Sequence, residues 1–98
     1  MFVRIARFEG ASGDWEQRIE TVRSNMQRGR QSADGPPIKR AMMLVDREHG
    51  LGAALTFCET EDDLREADEF MNNMARPDGA GTRASVEMYE VAVDTDQL

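Results

Sequence analysis

The chain has 98 residues, which suffices for one domain of ordinary size, and its hydrophobic content of 40% is typical of a folded protein rather than a disordered one. Twelve basic and nineteen acidic residues give a formal net charge of −7, which repels phosphate backbones and anionic lipids and argues against nucleic acid or membrane partners. The single cysteine, Cys58, cannot form an internal disulfide, and no run approaches the ~20 apolar residues of a membrane span, so we expect a cytoplasmic single-domain protein over 1–98.

A first strand is predicted over residues 2–8, which alternate in β-favouring residue types before a glycine-containing turn. Arg4 and Arg7 fall on opposite faces of this strand, so at least one of them is expected to point into an enclosed layer. A buried arginine needs a partner of opposite charge. Glu87 and Glu90 are the carboxylates expected to supply it, with an acidic or phenolic ligand as the alternative.

A first helix is predicted over residues 14–28. Asp14 is placed to cap its first turn, with Gln17 three residues later, and Gly29 is a natural stop. Arg18 lies off the apolar stripe and is expected to face water. The stripe itself has helical spacing and consists of Trp15, Ile19, Val22 and Met26.

A β-hairpin follows the polar loop 30–37. Its strands are predicted over 39–46 and 52–58, and the residues between them contain the turn-forming pair His49 and Gly50. This places two further strands next to each other in the sheet.

A second helix and a last strand complete the chain. Thr60 and Asp63 form a capping box that opens a helix reaching Met74, and the glycine- and proline-containing segment 77–81 ends it. The last strand is predicted over 83–93 and precedes a short acidic tail.

The order strand, helix, strand, strand, helix, strand predicts an α+β, ferredoxin-like fold. Right-handed crossovers give an antiparallel four-stranded sheet in the order two-three-one-four, with both helices on one face. The second strand is apolar on both faces (Ala41, Met43 and Val45 on one; Met42 and Leu44 on the other), and so is the fourth. Since the helices cover one face only, we predict a homodimer in which a second copy covers the other.

The segment 41–64, AMMLVDREHGLGAALTFCETEDDL, contains a strand ending in Val-Asp-Arg-Glu, a glycine turn, a strand of small residues and a Thr-Glu-Asp-Asp-Leu helix start. With the element order, it resembles the dimeric α/β-barrel superfamily, in particular its antibiotic-biosynthesis-monooxygenase-like (ABM-like) branch. The resemblance implies a sheet-to-sheet dimeric barrel. It also implies either a cofactor-independent monooxygenase-like enzyme or a binder of a small aromatic molecule, with no cofactor or metal.

An apolar cleft between helices and sheet is the expected ligand site under this resemblance. Arg7 would orient a ligand oxygen, and no general base is identified, so the catalytic residues stay unassigned. Core filling is the alternative role for the methionines and aromatics, since methionine fits irregular space of either kind. The candidate ligand-binding residues are Arg7, Trp15, Phe57, Met71 and Tyr89.

Four other features have a chemical and a structural interpretation, and the structural one is favoured for each. His49 is expected at an exposed turn rather than on a metal, and Cys58 as a small apolar strand residue rather than a nucleophile. The acidic run 59–63 is expected to stabilise a helix start, and residues 10–13 to form a turn rather than a phosphate cradle.

A non-catalytic structural or ligand-sensing dimer is the alternative function. Neither predicted helix contains the histidine that haem-degrading members of the superfamily use, and Trp15 has no matching asparagine of the kind that oxygenase members use. An amino-acid-sensing regulatory module shares the same element order. An RNA-recognition domain also shares it, but the acidic balance argues against one.

Overall fold

The structure is a computed structural model that describes residues 1–31, 35–74 and 81–98. The predicted loop 30–37 and the predicted helix-ending segment 77–81 lie partly outside these residues. The elements are, in chain order, β1 (Phe2–Glu9), α1 (Trp15–Gln31), β2 (Arg40–Asp46), β3 (Leu51–Cys58), α2 (Glu61–Asn72), β4 (Thr82–Glu90) and a 3₁₀ turn (Thr95–Gln97).

The four strands form one antiparallel sheet in the order β2-β3-β1-β4, which confirms the predicted order and the α+β class. β1 is central, with β3 on one side and β4 on the other. This arrangement, with two helices, is compatible with the ferredoxin-like fold. Among the described residues, no helix has the length and apolar composition needed to cross a bilayer.

Both predicted helix caps are confirmed. The Asp14 carboxylate accepts a hydrogen bond from the Gln17 amide at 3.0 Å, and the Thr60 hydroxyl accepts one from the Asp63 amide at 3.1 Å. Each cap satisfies one of the amides that a helix start leaves without an intrahelical partner. The predicted stop of α1 at Gly29 is wrong, because the helix continues to Gln31. Glycine weakens a helix without blocking its hydrogen bonds.

The last strand is shorter than predicted and contains an irregularity. β4 ends at Glu90 rather than at residue 93. Its register against β1 shifts between Arg7 and Phe8, which pair with Ser85 and Arg83, so Ala84 has no partner across the strand. Such a bulge bends an edge strand and changes its side-chain alternation locally.

The strand register assigns side chains to the two faces of the sheet. Arg4 and Thr56 pair across β1 and β3, and both contact α2, so we call their side the α2 face. The buried cluster of Cys58, Leu64 and Ala67 lies between this face and α2. We call the other side the outer face; its strand residues are Val3, Ile5, Arg7, Glu9, Arg40, Met42, Leu44, Asp46, Leu51, Ala53, Leu55, Phe57, Thr82, Ser85, Glu87 and Tyr89.

Candidate functional site

Arg4 is the arginine of β1 that is enclosed, with 3% of its surface exposed. Its Nε donates to Asp68 Oδ1 at 2.7 Å, its Nη2 donates to Asn72 Oδ1 at 3.2 Å, and its Nη1 lies 3.4 Å from Met71 Sδ. All three acceptors belong to the last turns of α2. The expected partners for a buried arginine, Glu87 and Glu90, do not pair with it, because α2 covers this face and supplies the carboxylate from above.

Arg7 lies on the outer face and forms a small polar network there. Its Nε donates to Glu87 Oε1 at 3.2 Å, so Glu87, which was expected to pair with the buried arginine, pairs with the exposed one instead. The Tyr89 hydroxyl donates to Glu87 Oε2 at 3.3 Å, and the Ser85 hydroxyl donates to Oε1 at 3.4 Å. The hydrogen bond from Arg7 is the main reason that the pKa of Glu87 lies below its ordinary value.

The candidate ligand-binding residues lie in separate places. Phe57 and Tyr89 both pair with Val3, so they form a row across the outer face, and Arg7 is on that same face. Met71 lies on the other side of the sheet, where its sulfur accepts from Arg4 and from Thr56. Trp15 is the first residue of α1. The structure therefore connects Arg7, Phe57 and Tyr89 through one surface, and the five candidates do not line one cleft.

A pocket of about 190 Å³ lies beside the start of α2, next to the edge strand β4. Pockets for drug-sized ligands have volumes of roughly 300–1,000 Å³, so this one accommodates a group no larger than a side chain. Tyr89 is the candidate residue that contributes to it. The lining consists of Phe2, Glu61, Leu64, Arg65, Met88, Tyr89 and Glu90.

Cys58 and His49 occupy the positions expected for structural residues. The Cys58 side chain is fully buried, and this desolvation, with a smaller contribution from Asp63, raises the pKa of the thiol. His49 is exposed at the hairpin turn, where its Nδ1 lies 2.9 Å from Asp46 Oδ2 and lowers the pKa of that carboxyl group. Within the described ranges, no three potential metal ligands lie close together.

Arg18 is the residue whose position the sequence did not indicate. The expectation that it faces water is wrong, because only 7% of its surface is exposed. Its Nη2 donates to the backbone carbonyl of Ser12, and its guanidinium carbon lies 4.6 Å from the centre of the Trp15 ring. Its Nε and Nη1 are buried and have no acceptor among the described residues. The one signal for this was the aromatic residue three positions earlier on the helix.

No family model matches this chain, and no curated protein matches its sequence. The fold and contacts described above therefore define its class, an α+β domain with one four-stranded antiparallel sheet and two helices.

Proposed function

We propose that this chain is a self-associating module, a homodimer in which two sheets close outer face to outer face as in a dimeric α/β barrel. Its role is that of a structural or ligand-sensing dimer without catalysis of its own. The observation that carries the proposal is the apolar character of the outer face. Three large side chains of that face, Leu44, Leu51 and Tyr89, are 48%, 43% and 53% exposed in the single chain.

The apolar residues of the outer face are contiguous. Leu55 lies between Met42 on one neighbouring strand and Ile5 on the other, and Phe57 pairs with Val3. Val3 is buried and the other four are partly buried in the single chain. With the more exposed Leu44 and Leu51 beside them, they form an accessible apolar patch of the kind that marks interaction sites. Because an antiparallel sheet that stays wet on one side alternates polar and apolar residues, the apolar residues of β2 and β3 on the outer face support the proposal that this face is covered.

The charge distribution favours a second copy as the covering partner. The strand residues of the outer face include two arginines and three carboxylates, so they carry one net negative charge of the chain's seven. The remaining acidic excess lies elsewhere. Two copies that meet through their outer faces therefore bring little net charge together. In a dimer with a twofold axis, each copy covers the apolar patch of the other.

Three groups able to do chemistry, Arg4, Cys58 and His49, are already engaged in the fold, which supports the non-catalytic role. The Arg4 guanidinium donates to three groups of α2, and the Cys58 thiol is buried with a raised pKa. A thiol attacks as its thiolate, so a raised pKa makes Cys58 a poor nucleophile. His49 lies on an exposed turn and is paired with Asp46.

Binding of a small aromatic molecule between the two sheets is the second candidate, and the Arg7–Glu87–Tyr89 network favours it. Closure of the dimer would place this network beside Phe57 in a largely apolar layer, where a cation and two aromatic rings suit a phenol. Oxygenase-like chemistry would require a base to deprotonate that phenol. Glu87 is a weak base for this step, because Arg7 lowers its pKa.

The mass in solution tests the dimer. Light scattering on a sizing column at micromolar protein should give twice the chain mass of 11.0 kDa. Leu44→Lys should give the monomer, because it places a charge on the apolar patch beside Met42, on the edge strand β2. Met88→Lys is the matched control: it lies on the other edge strand, is also 48% exposed, and belongs to the α2 face, so its variant should remain dimeric. A wild-type mass of one chain, or equal disruption by both variants, would refute the dimer.

Calorimetry and oxygen uptake separate ligand binding from catalysis. A hydroxyquinol-type phenol should bind the wild-type dimer without oxygen consumption, and Arg7→Gln should weaken binding about tenfold by removing one charge-assisted hydrogen bond. Arg23→Gln, an exposed arginine of α1 that is paired with Glu20, is the control and should bind as the wild type does. Oxygen consumption would assign an oxygenase instead, and absence of binding would exclude the ligand.

A further inference from the structure

Arg18 is a buried cation whose hydrogen-bonding capacity is largely unused. Its Nη2 donates to the Ser12 carbonyl, while Nε and Nη1 have no acceptor among the described residues. A guanidinium has five N–H donors and is charged at every physiological pH, so burial without an anion is costly. Stacking on Trp15 offsets a small part of this cost.

The position of Arg18 is the N-terminal end of α1. Its contact with Ser12 places the guanidinium beside the residues that precede the helix, where the positive end of the helix dipole also favours an anion. The three acidic side chains nearest in sequence are engaged elsewhere: Asp14 caps the Gln17 amide, Glu16 is paired with Arg47, and Glu20 is paired with Arg23. None of them forms an ion pair with Arg18.

The turn before α1 is held by a backbone hydrogen bond at one end and contains a glycine with positive φ at the other. The Ala11 amide donates to the Gly50 carbonyl at 3.0 Å, which ties the turn to the β2–β3 hairpin. Gly13 has a φ of 91°, and a Cβ at that position would lie 3.7 Å from Arg18 Nη2. Ser12, which lies between them, is exposed, and its carbonyl accepts a hydrogen bond from Arg18 Nη2. Displacement of the Ser12 carbonyl would open Arg18 to an incoming group.

We propose that Arg18 anchors a binding site for a compact oxyanion, a carboxylate or a phosphate group, at the start of α1. The planar donor fork of arginine matches two oxygens of either group, and Trp15 holds the fork in a fixed plane. This site is independent of the outer face. The anion replaces the carbonyl of Ser12 as acceptor and supplies the acceptors that Nε and Nη1 lack.

Thermal unfolding in the presence of anions tests the site. Inorganic phosphate and acetate are titrated in separate arms at constant ionic strength, with sodium chloride as the reference salt. In at least one arm the Tm of the wild-type protein should rise by about 5 °C or more and follow ln(1 + [L]/Kd), because the ligand binds the folded state only. The arm that follows this dependence tells whether phosphate or carboxylate is the ligand. No such rise with either anion would overturn the proposal.

Substitutions locate the response. Arg18→Met should abolish the rise in Tm, and without anion it should be at least as stable as the wild type, because an unpaired buried charge is replaced by an apolar chain. Arg18→Lys keeps the charge without the fork and should bind about tenfold more weakly. Arg23→Met, on the same helix but exposed and paired with Glu20, should respond as the wild type does. If Arg18→Met and Arg23→Met lose the anion-dependent rise in Tm equally, the site at Arg18 is refuted.

Discussion

Arg4 and Arg7 lie three residues apart on β1 and have opposite environments. Arg4 is enclosed under α2 and paired with Asp68, whose side chain is 23% exposed, whereas Arg7 is more than half exposed beside Glu87. The difference follows from strand alternation, which directs successive side chains to opposite faces. This difference in burial determines how much each ion pair contributes to the stability of the fold. Removing the partner of a buried charge is strongly destabilising, whereas removing the partner of an exposed charge has little effect.

We predict that Asp68→Ala destabilises the protein by about 3 kcal/mol, because it leaves the Arg4 guanidinium buried without its closest carboxylate. Urea unfolding at fixed protein concentration measures the change. Glu61→Ala on the same helix is the control, as it removes an exposed pair with Arg65 and should change the free energy of unfolding by less than about 1 kcal/mol. If Asp68→Ala lowers the free energy of unfolding by as little as Glu61→Ala does, the hydrogen bond to Asn72 is sufficient to hold Arg4.

The pKa of Glu87 gives a second prediction. It should lie below the ordinary value of 4.5 in the wild type and rise towards it in Arg7→Gln, since Arg7 is its main cause. A lowered carboxyl pKa contributes stability above the pKa of the unfolded chain, and that contribution is lost as the pH falls through the folded value. Carbon-detected NMR titration checks the shift, with Arg40→Gln as a control that should leave it unchanged. An unshifted Glu87 in the wild type would contradict the contact.

Strand neighbours were predictable from the sequence, and contacts with the helices were not. The strand order places Arg7 and Glu87 on adjacent strands, although Glu87 was expected to pair with the buried arginine. The Arg4–Asp68 pair depends on how α2 is rotated and placed over the sheet, which residue spacing does not specify. Arg18 shows the same limit on α1, because periodicity alone assigned it to the solvent side.

At the scale of elements, one end of the molecule is held together by close backbone contacts. Gly50 ends the hairpin turn with a φ of 66°, and a Cβ there would lie 2.8 Å from the Ala11 carbonyl oxygen. Gly81 makes a similar approach to Glu9 at the start of β4. These two glycines let the β1–α1 turn pack directly on the hairpin and on β4.

We predict that Gly50→Ala destabilises the protein by at least about 2 kcal/mol, since it combines a left-handed backbone with a contact that is too short for a methyl group. Gly29→Ala is the matched control. It lies inside α1 with no neighbour within 4 Å of the added methyl, so it should stabilise by about 0.5–1 kcal/mol. Thermal unfolding compares the two, and a neutral Gly50→Ala would show that the turn can move away.

The elements themselves were largely predictable, because capping residues and turn residues have local effects. The caps at Asp14 and Thr60 and all four strands follow from such signals. The bulge at Ala84 and the early end of β4 do not, since they depend on how an edge strand pairs with β1. Glycine as a stop signal also failed at Gly29, where the helical hydrogen bonds continue.

For the whole molecule, the prediction of strands that are apolar on both faces holds for β2 and is wrong for β4, whose outer-face residues are Thr82, Ser85, Glu87 and Tyr89. Val91 and Val93, which were expected on that face, lie beyond the end of β4. The predicted ligand cleft required residues that lie on opposite faces of the sheet to line the same cavity. Strand alternation places Phe57 and Tyr89 on one face, while the Met71 sulfur meets Arg4 and Thr56 on the other. Sequence spacing identified residues suited to a ligand without showing that the sheet separates them.

We predict that the Tm of the wild-type protein rises with protein concentration, because folding of a dimer is coupled to association by mass action. The Tm of Leu44→Lys should not depend on concentration, whereas that of Met88→Lys should. Scanning calorimetry over a roughly hundredfold range of protein concentration measures the Tm. Mass action gives a clear shift in the Tm of a dimer over a range of this order. A wild-type Tm that is constant across the series would contradict coupled folding.

The edge strand β2 bears on how the chain avoids forming fibrils through strand pairing between copies. Between Arg40 and Asp46 it has five uncharged residues, none of them proline or glycine, and one side of its backbone ladder has no neighbouring strand in the described sheet. Short segments of this composition are prone to stack into amyloid-like fibrils when two of them meet. The charges at its two ends act as gatekeepers: parallel in-register stacking would superimpose like charges in every layer. Neutralising both ends would remove that protection and leave a template for fibril growth.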